Sequence, residues 1–125
     1  MPVLVFECDS SESDALKKAL EYDPYLDKET SPEELKRIAG DKSANIIFAR
    51  QAYDLRNGAS FGLDPKKYYL YIKASEEFLR AAEEKLKKNF KTVKVATKEE
   101  ERKVVDKIDD EESRVNSSIG AIFGG

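Results

Sequence analysis

Apolar and polar positions follow two periods along this chain, and the places where the period changes divide it into elements. Residues 3–8, Val-Leu-Val-Phe-Glu-Cys, are a run of β-formers halted by Asp9-Ser10-Ser11, which predicts a first strand. Ala15, Leu16, Ala19 and Leu20 then repeat with helical spacing behind Ser10 or Ser11 as cap, until Asp23-Pro24 interrupts them. Ser31-Pro32-Glu33-Glu34 opens a second short helix with a cap, a proline at the first position and a glutamate three residues after the cap. Gly40 stops it. Residues 45–56 carry Ile46, Ile47, Phe48, Ala49, Ala52, Tyr53 and Leu55, read as one long strand with a bulge near Arg50. The 57–67 connection holds Asn57-Gly58 and Asp64-Pro65, two turn signals, and so predicts an ordered excursion.

A third strand spans 68–73, with Tyr68, Leu70 and Ile72 on one face and Tyr69, Tyr71 and Lys73 on the other. Ser75 caps a helix with the stripe Phe78, Leu79, Ala82 and Leu86, ending near Asn89. Residues 90–96 alternate as a fourth strand, and Thr97-Lys98-Glu99-Glu100 is a capping box that starts a last helix through Val104, Val105 and Ile108. This is the element order of the split β-α-β, or ferredoxin-like, arrangement: an α+β domain with a four-stranded antiparallel sheet, helices on one face and an extra C-terminal helix. The expected division is a domain over 1–117 and an apolar, glycine-rich tail over 118–125, whose Ile119, Ile122 and Phe123 dock on the body or on a second subunit. The other face of the sheet is expected to stand open.

Charge adds a second layer to this pattern. Residues 1–41 hold 5 basic and 11 acidic side chains, 42–98 hold 13 and 6, and 99–125 hold 4 and 8. A basic middle between acidic ends is expected to neutralise itself within the fold. There is no histidine, which removes the commonest general base and the commonest metal ligand, and excludes triads that depend on it. The single cysteine allows no disulfide within one chain and no thiolate zinc cluster. No apolar run reaches the ~18 residues of a membrane span, and the first residues do not read as a signal peptide, so a cytoplasmic location is expected. Abundant Lys and Glu with no tryptophan and one methionine give a thermophile-like composition.

Candidate chemistry gathers at three places. Cys8 and Asp9 lie where a strand meets a helix N-terminus, a position that can lower a thiol pKa or hold an anion; packing and capping are the bland alternative. Glu7, Asp9, Glu12 and Asp14, like Asp109-Asp110-Glu111-Glu112, match no metal-loop spacing and read as solvated carboxylates. Tyr69 and Tyr71 alternate on a central strand beside Arg50 and Arg56, as rings that stack single-stranded RNA do. The segment Lys67-Tyr68-Tyr69-Leu70-Tyr71 resembles the third-strand motif of RNA-recognition domains, without its two glycines. Phe61 in the 57–67 excursion is tucked under its loop or offered to a partner. The closing Gly124-Gly125 resembles the terminus of ubiquitin-like modifiers in two residues, although those families open with a β-hairpin and this chain with strand, helix, helix.

These readings favour a non-catalytic domain that forms a homo-oligomer, with the tyrosine face as its interface, or binds a small ligand at the strand–helix junction or under the 57–67 loop. The alternatives are an RNA or single-stranded nucleic-acid binder and a small enzyme using Cys8 and Asp9. No cofactor, metal or membrane partner is expected.

Overall fold

The computed structural model describes residues 2–41 and 46–122, with 115–122 by their backbone alone. Strand β1 (Val3–Asp9) passes through a 3-10 turn at Ser10–Glu12 into α1 (Ser13–Glu21), and α2 (Pro32–Gly40) follows. Then come β2 (Ala52–Asn57), β3 (Lys67–Lys73), α3 (Glu76–Asn89), β4 (Lys94–Val95) and α4 (Lys98–Ile122). The chain is thus α+β, with four strands in one open sheet in the order β2-β3-β1-β4, every neighbouring pair antiparallel.

The helix starts follow their sequence signals. Ser31 accepts from the Glu34 amide and Ser75 from the Phe78 amide, both at 3.2 Å. At α4 the capping box is reciprocal, the Glu100 amide donating to Thr97 Oγ1 at 3.2 Å and the Thr97 amide to Glu100 Oε1 at 3.1 Å. The first helix differs: neither Ser10 nor Ser11 caps it, because the Ser10 amide is drawn to the Lys66 carbonyl and the chain turns through a 3-10 segment instead.

Two strands are shorter than expected. Ile46, Ile47 and Phe48 are buried but not in the sheet; Phe48 heads a 3-10 turn (Phe48–Arg50) and sets its ring edge-on to Phe78, centroids 5.7 Å apart. Asn45, the expected start of that strand, lies outside the described residues. In the fourth strand only Lys94 and Val95 pair with β1, since Phe90 closes α3 and Thr92 is held by side-chain bonds. The excursion after β2 is ordered as expected. Asn57 accepts from the Ala59 amide and donates to the Pro65 carbonyl, and a Cβ on Gly58 would overlap the Asp64 carbonyl, so only glycine fits there.

Two cores flank the sheet. Phe6, Cys8, Leu70 and Ile72 form one with Leu16 and Leu20 of α1 and Leu79, Ala82 and Leu86 of α3. Val5, Tyr69 and Tyr71 on the opposite face form the other with Phe61, Ala96, Val104 and Ile108. The expectation of an open tyrosine face is therefore corrected: Tyr69 and Tyr71 are 1% and 4% exposed beneath α4. The stripe Val104, Ile108 with Val105 beside it is narrow, but it meets a face already rich in ring surface. Helix α4 also runs on through Ile122, into the segment read as a tail; Phe123, Gly124 and Gly125 lie outside the described residues.

Candidate functional site

The alternation of β1 puts Val3, Val5 and Glu7 on the α4 side, opposite Leu4, Phe6 and Cys8. Glu7 is therefore an acid in the middle of an apolar row on a central strand, with Tyr69 beside it on β3 and Lys94 on β4. It is 3% exposed. Its Oε1 takes Lys94 Nζ at 3.1 Å and Lys67 Nζ at 3.3 Å. Its Oε2 is buried with no hydrogen-bond partner among the described residues.

Glu100, from the first turn of α4, lies next to this group. Burial pushes its carboxyl upward, but hydrogen bonds from the Tyr69 hydroxyl, from the Thr97 amide and hydroxyl, and from the Glu7 carboxyl outweigh that and bring it down to about 2. The Tyr69 hydroxyl donates to Glu100 Oε2 at 2.5 Å, and burial, followed by Glu100, raises the phenol well above its ordinary range. A polar latch thus joins α4 to the centre of the sheet.

A cavity of about 320 Å³ opens at the end of β1, with Glu7, Cys8 and Asp9 as one wall and Lys67 as another. Lys91, Thr92 and Lys94 close it. Three lysines and two acids therefore line it, and Glu7 engages two of the lysines through one oxygen. The lysine-bearing segment is fixed by Glu12, whose carboxylate accepts from the Thr92 amide at 2.6 Å, the Lys91 amide at 3.1 Å and the Thr92 hydroxyl. The Thr92 hydroxyl bond is the main reason the Glu12 pKa is lowered. The Asp9 amide donates to Thr92 Oγ1 at 3.1 Å and completes the tie. A larger cavity of about 450 Å³ lies between α1 and β2, but no buried, unpartnered polar atom of the described residues lines it.

Of the residues singled out from sequence, Cys8 and Asp9 do meet at the first cavity. Cys8 is nonetheless 3% exposed, and burial, then Glu12 and Asp9, push its thiol up to about 11, the opposite of nucleophile activation. Arg56, Phe61 and Tyr69 are brought together. Arg56 binds Asp54 and Glu111 at 2.7 Å each, lies 5.7 Å from the Phe61 ring centroid, and Phe61 meets Tyr69 edge-on at 6.3 Å. Those two ion pairs raise the Arg56 pKa further above its already high value. Arg50 does not join them: it belongs to the turn before β2, pairs with Asp23 at 3.0 Å and lies over Tyr25. Glu7 and Glu12 take separate partners, and no group of three or more acidic or cysteine side chains among the described residues is placed to hold a metal.

Sequence pattern alone does not single out Glu7 as a buried centre with Lys67, Lys91, Lys94 and Glu100 around it. A signal is present in the strand period, since an acid at position 7 interrupts the row Val3, Val5 on a strand whose other face is wholly apolar.

No known family model, characterised protein or solved structure is significantly similar to this chain. Among the described residues no helix is long and apolar enough to cross a membrane.

Proposed function

We propose that this protein binds a small anionic molecule in the cavity at the end of β1, and that it acts as a binding domain without chemistry of its own. The observation that carries this reading is the cavity itself, where the acids Glu7 and Asp9 share a lining with Lys67, Lys91 and Lys94. A ligand whose carboxylate or phosphate meets the lysines and whose hydroxyl or amine donates to the acidic wall of Glu7 and Asp9 satisfies both halves of the site. The raised thiol of Cys8 and the absence of histidine argue against covalent or general-base work here.

The strand order with α1 and α3 as crossovers supports reading the body as the ferredoxin-like arrangement, with α4 as an added cover. The nucleic-acid alternative loses its stacking platform, because both rings it needs are beneath α4. A cytoplasmic setting fits the lone buried thiol.

An amide-resolved NMR titration tests the site with two bifunctional probes, glycolate and glycerol phosphate, against the half-ligands glycerol and inorganic phosphate. The bifunctional probes are expected to shift Glu7, Asp9 and 91–94 amides at lower concentration than either half. Lys67→Met and Lys94→Met should each weaken binding about tenfold, the loss of one charge-assisted contact. Shifts confined to other surfaces, or none with any probe, would remove the proposal.

A further inference from the structure

Strand β2 pairs with β3 on one side, and no strand of the described residues borders its other side. Its register against β3 is continuous from Ala52 to Asn57, so no bulge twists it away, and it contains no proline, glycine or lysine. Of the usual guards of a sheet edge, which are proline, bulges and charged side chains, it carries only two charged residues. Its two charges, Asp54 and Arg56, stand two residues apart on the α4 side and have opposite sign. On the α1 side the cavity of about 450 Å³ leaves Tyr53 and Leu55 only partly covered.

We infer that β2 pairs antiparallel with β2 of a second copy about a two-fold axis at Leu55, joining two four-stranded sheets edge to edge. Registers that keep α1 of both copies on one side of the joined sheet place residues of like parity opposite each other. Centring on Asp54 or Arg56 sets like charges face to face. Centring on Leu55 sets Asp54 opposite the second copy's Arg56 twice, with Leu55 against Leu55 between them. Each Arg56 already gives four N–H bonds to Asp54 and Glu111 of its own chain, and its fifth donor is left for a further carboxylate. The occupant that matches this alternation is the strand itself, which favours a second copy over an unrelated peptide. One strand pairing buries less than the ~1,000 Å² of a standard interface, so the dimer forms in a concentration-dependent way.

Sedimentation equilibrium from about 10 µM to about 1 mM reads the association. The chain should pass from monomer to dimer in that range. Asp54→Arg and Arg56→Asp, each made with Glu111→Gln so that the introduced aspartate meets no acid on α4, should each dimerise at least tenfold more weakly than Glu111→Gln alone. Mixing the two should restore association, since every cross-strand pair in the mixed dimer is then opposite in sign. In the unaltered chain, hydrogen exchange of β2 amides should slow as concentration rises, a reading that stands even if a charge variant loses its sheet. A strict monomer at about 1 mM, a dimer indifferent to Asp54→Arg, or a mixture that stays monomeric overturns the inference.

Discussion

The two faces of the sheet are covered by opposite means. On the α1 and α3 side, Phe6, Leu70 and Ile72 meet Leu16, Leu20, Leu79 and Leu86, and the layer is held by apolar contact. On the α4 side, the apolar patch is smaller and is flanked by two polar latches, Tyr69 with Glu100 at one end and Arg56 with Glu111 at the other. The difference teaches that the second face is specified as much by directional bonds as by burial. It is also the face that holds the buried, incompletely paired Glu7.

This contrast can be broken from either side. Phe6→Ala, on the dry face, should cost about 3–5 kcal/mol in urea unfolding, because the cavity left between β1 and the helices cannot fill with water-bonded groups. Tyr69→Phe, on the latched face, removes one hydroxyl and should cost about 1 kcal/mol by the same measurement. That variant also tests the acid limb. Glu100 has its pKa depressed in the folded state, so its contribution is present above its ordinary value of 4.5 and is lost as pH falls toward about 2. Losing the Tyr69 bond should move the onset of acid unfolding to higher pH, and Glu100→Gln should flatten this part of the stability curve.

The smallest effect on stability is expected at Glu7. Replacing a buried, incompletely satisfied carboxylate by a side chain of similar volume is often neutral or stabilising, and both its lysines can turn to solvent. Glu7→Met should therefore leave the melting temperature unchanged or slightly higher while abolishing the binding of glycolate and glycerol phosphate. A large loss of stability would mean that Glu7 serves the fold and not a ligand.

Much of the fold is legible in the sequence because its signals are local. Ser31, Ser75 and Thr97 mark helix starts through bonds three residues away, and the stripe Leu79, Ala82, Leu86 defines its buried face by spacing alone. The strand expected over 45–56 is cut short because Ile46 and Phe48 are buried by tertiary contact with the helices, which period cannot distinguish from burial in a sheet. The covering of Tyr69 and Tyr71 is not legible, since Val104 and Ile108 form a weak stripe and the latches join residues 31 and 55 positions apart. The candidate site is half legible. Cys8 and Asp9 lie at the cavity at the end of β1, but the chain has to be folded before Lys67 and Lys94 can be placed on Glu7.

Everything proposed for the α4 side depends on the covering of that face, and tyrosine reactivity measures the covering directly. Nitration of the native protein, mapped by peptide mass, should modify Tyr22, which is 53% exposed, and Tyr25, while Tyr69 and Tyr71 react only after unfolding. Native Tyr69 and Tyr71 reacting as fast as Tyr22 would contradict it, and would return this face to the surface.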